Sequence, residues 1–338
     1  MQNTGNTVAA SSPQAPRIEI QRSLLIGGAL LVGLVVLGSV LVPGFMSAQN
    51  ARSILLLASF LGIASLGQTL CALLGALDLS IPFVIGSANI LLPSFLVSGL
   101  PPSVAVMLII ALGALVGAVN GLMSFRIQGQ ALIMSLAVGF AVVGAAQIYT
   151  TIGSQYAGTV FATIPEWLRN LAAFNGMSFG IPLPPVIFIW AILSAFVIWA
   201  MSNSWFGLGI YALGDSRTAA ARLQISERKT WVAVHAVSGI ASSVAGMLLL
   251  GFSGGGFVGV GDPYLFTTVA AVVIGGTSLL GGAGGYGATV LGVLVLTVLT
   301  SILVGLGLSF ASQQAVIGML IIPMVAIYAR APHIRNQV

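Results

Sequence analysis

Ser53-Ile-Leu-Leu-Leu-Ala-Ser-Phe-Leu-Gly-Ile-Ala-Ser-Leu-Gly-Gln-Thr-Leu-Cys-Ala-Leu-Leu-Gly75 carries no charge over a length that crosses a hydrocarbon core as a helix. A barrel strand would instead alternate polar and apolar residues in segments of about ten. Runs of the same kind recur at 23–42, 81–99, 103–123, 131–150, 186–201, 231–252, 266–280, 287–308 and 313–329. Together they predict an all-α integral membrane protein of about ten transmembrane helices. A signal peptide would have an apolar core of only about 7–15 residues, so 23–42 reads as a retained anchor. The domain plan is a disordered cytoplasmic tail over 1–22, a transmembrane domain over 23–330 and a cytoplasmic tail over 331–338.

Composition agrees. Charged residues are 5% of the 338, against about 25% in an average soluble domain. Hydrophobic residues are 58% and mean hydropathy is +1.10, which excludes disorder as well as an ordinary wet surface. The net charge of +5 is spread over short connections, with no basic face for nucleic acid. With the N-terminus inside, Arg17, Arg22, Arg126, Arg217, Arg222, Arg228, Lys229, Arg330 and Arg335 are cytoplasmic, and only Arg52 and Arg169 lie outside. Ten spans return the chain to the side it started from. Two halves of five would be inverted relative to one another, each with a Gly-rich break, at 72–82 and 275–287.

Two connections are long. In the outer one, 151–185, Thr163-Ile-Pro-Glu166 has the spacing of a capping box, and Ile164, Trp167, Leu168 and Leu171 share a helical face. That predicts a short helix, either flat on the membrane surface or packed on the bundle. The inner one, about 202–230, holds six charges between Asp215 and Lys229. Asp215 or Ser216 can cap a helix from Arg217 to Gln224. Ala219, Ala220 and Leu223 would then form a low surface. A solvated connector is one reading, and a docking surface for a cytoplasmic subunit is the other.

Inside the spans, Asp78 in Gly75-Ala-Leu-Asp-Leu-Ser-Ile-Pro82 is the one acidic residue close to hydrocarbon. A charge there costs about 2.5–3.5 kcal/mol and needs a partner, a cavity or water. Asp78 or Ser80 can cap the next helix, whose first turn accepts Pro82. The other polar side chains, among them Gln68, Asn89, Asn120, Gln147, Ser238, Ser242 and Ser243, are neutral. Without paired carboxylates or an arginine ladder, an ion-driven pump and a voltage sensor are disfavoured. Gly113, Gly117 and Gly121 allow close helix contact. Gly282-Ala-Gly-Gly-Tyr-Gly287 matches GxGxxG but follows an apolar span, and no P-loop occurs. His235 has no ligand-spaced partner and Cys71 is the single cysteine, so no catalytic, metal or cofactor-binding residue is assigned.

Several stretches resemble bacterial ABC-importer permeases of the ribose, xylose, arabinose and galactose type. They are Tyr211-Ala-Leu-Gly-Asp215 with Ala219-Ala220, Ala271-Val-Val-Ile-Gly-Gly-Thr-Ser-Leu-Leu-Gly-Gly282, Gly287-Ala-Thr-Val-Leu-Gly292, Gln314-Ala-Val-Ile-Gly318 and Asp78-Leu-Ser80. The likeness covers roughly 50–330. Two positions depart: Gln224 stands where such permeases commonly have Gly, and Ile81-Pro82 stands where Val-Gly is usual.

The resemblance implies a type II importer-like permease in a bacterial inner membrane, both termini cytoplasmic, moving a small neutral solute such as a monosaccharide. It implies a second permease subunit, two cytoplasmic ATP-binding subunits holding ATP and Mg, and a periplasmic sugar-binding protein. Lipid surrounds the assembly and no nucleic acid takes part. Gly214, Asp215, Ser216, Arg217, Ala219, Ala220, Arg222 and Leu223 are the expected ATPase-coupling residues. Gln68, Asp78, Ser80, Asn89, Gln147, Gly275, Gly276 and Thr277 are the expected pathway residues. Nucleosides, autoinducer-like furanoses and branched-chain amino acids are alternative cargoes, and an ion-coupled secondary transporter is the alternative class.

Overall fold

The structure, a computed structural model, describes residues 17–127, 130–152, 158–178 and 180–329. Its helices are α1 (Arg17–Leu41), α2 (Ala48–Leu73), α3 (Ile81–Val97), α4 (Pro102–Arg126), α5 (Ala131–Thr151), α6 (Glu166–Ala172), α7 (Pro185–Asn203), α8 (Trp205–Asp215), α9 (Arg217–Arg222), α10 (Glu227–Ser253), α11 (Tyr264–Ile274), α12 (Tyr286–Gly305) and α13 (Phe310–Ala329). Two short strands, β1 (Thr159–Val160) and β2 (Gly256–Phe257), pair antiparallel. The chain is a helical membrane protein: α1, α2, α4, α5, α7, α10 and α12 are each long and apolar enough to cross a bilayer. Of the expected tails, 1–16 and all of 331–338 lie outside the described residues, as do Arg330 and Arg335, whereas 17–22 already belong to α1.

α2, α3 and α10 are interior helices. Unlike α4, α5 and α7, most of their residues are buried inside the chain. α4 crosses α10 along Gly113, Gly117 and Gly121, where a methyl group would strike the backbone of Gly239, His235 and Trp231. The four-residue glycine spacing therefore serves close backbone approach, as its sequence implied.

Three expectations are corrected. The run 266–280 is not one helix: α11 stops at Ile274 after 11 residues. Gly276 takes φ +86, and the Gly276 and Thr277 amides donate to the Val273 and Val272 carbonyls at 2.9 and 3.0 Å, a Schellman closure. α2 ends in the same way at Gly75, φ +76, with Gly75 and Ala76 donating to Ala72 and Cys71. Both Gly-rich breaks are thus built from one closing motif. Second, the Thr163 capping box does not form. Pro165 occupies the N-cap of α6 and its carbonyl takes the Leu168 and Arg169 amides, which leaves Thr163 outside the helix. α6 packs on the bundle through Ile164, Leu168 and Ala172 while Trp167 faces outward. Third, neither Asp78 nor Ser80 caps the amides of α3, although Pro82 does sit in its first turn.

Candidate functional site

Asp78 is 2% exposed near the midpoint of α10, and donors from three elements surround it. One carboxylate oxygen accepts the Ser80 amide at 3.0 Å, the Ser80 hydroxyl and the Asn120 amide of α4 at 3.0 Å. The other accepts the Ser238 hydroxyl of α10 at 2.7 Å. Ser124 supports Asn120 from the next turn, and Ser135 of α5 accepts the Leu79 amide. The partner that a buried carboxylate requires is therefore a shell of neutral donors, and no cation joins it among the described residues. The α2–α3 break is tied by this knot to α4, α5 and α10.

One turn of α10 nearer its start, His235 is fully buried and stacked on Trp231, with Nδ1 donating to the Trp231 carbonyl at 2.9 Å. Among the described residues no three His, Cys, Asp or Glu side chains come together for a metal.

The two breaks meet. The Gly282 amide donates to the Leu73 carbonyl at the end of α2, and Gly281 lies against Gly75. Gly214, at the end of α8, presses its Cα on both the Leu73 carbonyl and the Gly282 amide. Tyr211 of α8 donates its hydroxyl to the Gly284 carbonyl at 2.9 Å, and burial raises the pKa of that phenol. Three backbone segments thus form one junction directly before the charged connection.

That connection folds largely as its residues imply. Ser216 caps α9, accepting the Ala219 amide at 3.2 Å. Arg217 pairs with Glu227 at 3.3 Å and lies over the Trp231 ring, which fastens α9 to the first turns of α10. Ala220 requires correction. It is fully buried against the chain's own core and is closed to a partner. Of the expected coupling residues, Asp215, Arg217, Ala219, Arg222 and Leu223 face outward, with Leu223 69% exposed.

α9 ends in a third Schellman closure, here with Gln224 at φ +58. It is the one non-glycine residue at positive φ among the described residues. Gln224→Gly is expected to stabilise the fold by about 1 kcal/mol, read as a rise in thermal midpoint.

The expected pathway residues do not gather in one place. Asp78 and Ser80 belong to the buried knot. Asn89 clamps α3 to α10 and β2, donating to the Gly246 carbonyl at 3.0 Å and accepting the Phe257 amide at 2.9 Å. Gly275, Gly276 and Thr277 belong to the junction, where the Thr277 hydroxyl accepts the Gly285 amide at 3.1 Å. Gln68 is fully buried, and neither end of its amide has a partner among the described residues. Gln147 alone faces an open cavity, of about 380 Å³, shared with Pro82, Phe83, Val143, Gly158, Val258, Gly259 and Asp262. The sequence reading missed Asp262. Its signal was Asp-Pro between a Gly-rich turn and an apolar run, the mirror of Asp78 ahead of Pro82.

Residues 50–325 match the family described as branched-chain amino acid transport system / permease component. The chain belongs to this permease family. Like other permeases it has relatives of nearly equal length. The ribose import permease protein RbsC of Haemophilus influenzae is 29% identical over 324 residues, 94% of this permease and 95% of its own chain. RbsC of Escherichia coli K12 is 30% identical over 91% of this permease and 92% of its own chain. The autoinducer 2 import system permease protein LsrD of Escherichia coli SMS-3-5 is 28% identical over 78% and 79%. No solved structure matches the permease.

Proposed function

We propose that the permease is the transmembrane subunit of an ATP-driven importer that carries a monosaccharide across a bacterial inner membrane. The observation that carries this reading is near full-length similarity to ribose import permeases. The interior supports it, since the buried side chains are neutral donors and acceptors around one satisfied carboxylate, and such an interior suits an uncharged polar cargo. LsrD gives a furanose of the autoinducer type a specific claim as second cargo.

In this reading α1 to α5, α7 and α10 to α13 make ten passes, in two inverted halves, with both termini cytoplasmic. A second permease subunit completes the pathway, and two ATP-binding subunits carrying ATP and Mg dock on the side of α8 and α9. A periplasmic binding protein delivers the sugar. Motion received by Asp215, Ser216, Arg217, Ala219, Arg222 and Leu223 reaches the two breaks through Gly214. Asp78, Ser80, Asn89 and Gly275 to Thr277 brace the pathway rather than line it.

Uptake of radiolabelled sugar into proteoliposomes holding the complete complex should need internal ATP and the binding protein. Uptake by the permease alone on an ion gradient would overturn the reading. Leu223→Asp is expected to lower uptake at least tenfold while the purified permease keeps its thermal midpoint, because Leu223 is exposed and its exchange disturbs no internal contact.

A further inference from the structure

We propose that the cavity between α3, α5 and the turn before α11 is a monosaccharide contact site, in which Asp262 and Gln147 engage ring hydroxyls and Phe83 takes the apolar face of the sugar. The inference rests on the importer reading above and names residues for it.

The cavity stands where two helices begin. Gly261, just before α11, packs on the Pro82 carbonyl in the first turn of α3, and Gly86 packs on the Val258 carbonyl. A short 3-10 turn, Val258–Gly261, therefore reaches down beside α3, and backbone outside regular α-helices is tolerated in a membrane protein where it is buried or lines a cavity. The Asp262 backbone is fixed, its amide donating to Gly259 and its carbonyl accepting from Leu265. Its carboxylate is exposed and has no side-chain partner among the described residues, and the same holds for the exposed Gln147 amide. Phe83 is held by Phe140, ring centroids 4.8 Å apart.

The chemistry selects the ligand class. A volume of about 380 Å³ lies within the range of small-molecule sites. A carboxylate accepts two hydroxyl hydrogens, an amide both donates and accepts, and an aromatic face suits the C–H face of a sugar ring. Among the described residues no basic side chain lines the cavity, so an amino acid would leave its own carboxylate unpaired. One carboxylate and one amide also fall short of the six or more oxygens that calcium needs.

The test uses the complete complex in proteoliposomes and the best transported of D-ribose, D-xylose, L-arabinose and D-galactose. Asp262→Asn, Gln147→Ala and Phe83→Ala are each expected to raise the KM for uptake, about ten- to hundredfold for Asp262→Asn, with maximal rate and basal ATPase within about threefold of wild type. Independently, Asp262→Cys should react with a small water-soluble thiol reagent, since the native Cys71 is buried. Sugar-loaded binding protein should slow that reaction, and sugar-free binding protein should not. A wild-type complex that imports no monosaccharide overturns both readings. A wild-type complex that imports sugar, with variants that keep its KM and labelling blind to sugar, overturns this one alone.

Discussion

Replacing Asp78 by alanine is expected to destabilise the permease by about 3 kcal/mol or more and to abolish uptake. Removing the carboxylate relieves the membrane cost of about 2.5–3.5 kcal/mol for a central charge. Against that stand four hydrogen bonds to a carboxylate, each of about 1.5–3 kcal/mol, from the Ser80 amide and hydroxyl, Asn120 and Ser238. The bonds outweigh the relief, and truncation strands the buried donors of Asn120 and Ser238 without their acceptor. Asp78→Asn should lie between, because an amide oxygen can still accept from Asn120 while the Ser238 hydroxyl turns to accept from the new NH2. Thermal unfolding in detergent and uptake in proteoliposomes check both. An alanine variant with wild-type stability would show that the knot contributes nothing to the fold.

The second large effect is expected at Gly214. A side chain there lands on the Leu73 carbonyl and the Gly282 amide, both backbone groups that cannot swing aside. Gly214→Val should break the Gly282–Leu73 hydrogen bond and separate the two breaks from α8. Uptake should fall at least a hundredfold, the size of effect that misplacing a reacting assembly by about 1 Å produces elsewhere. ATPase activity of the assembled complex should persist without transport. Gly209→Ala on the same helix is the control, since its methyl would meet only Ile225 at 3.7 Å. Equal uptake by the two variants would remove Gly214 from the transmission path.

The seven long apolar helices among the described residues were legible because a hydrocarbon core fixes their length, and a cap at Asp215 or Ser216 was legible because capping acts over three residues. The α11 stop was not. The run 266–280 reads as one span even though a Gly-rich break is expected from 275, and the positive φ of Gly276 closes the helix already at Ile274. Ala220 was misread because a six-residue helix is too short for its pattern to fix which face turns inward. Asp78 was visible as a costly charge, yet Asn120 and Ser238, both distant in sequence, emerge only from packing. Asp262 was passed over for the same reason, since its cavity joins α3, α5 and Gly158.

Beside that cavity main chain meets main chain, at Gly261 on Pro82 and Gly86 on Val258. Peptide groups are the same whatever residue bears them, so this surface cannot be retuned by exchanging side chains. With the cavity as the proposed cargo site, adaptation to a different cargo falls on the few positions that present a side chain to it, chiefly Phe83, Val143, Gln147, Val258 and Asp262. Such a scaffold can change what it carries through a handful of substitutions while the machinery that moves it stays untouched.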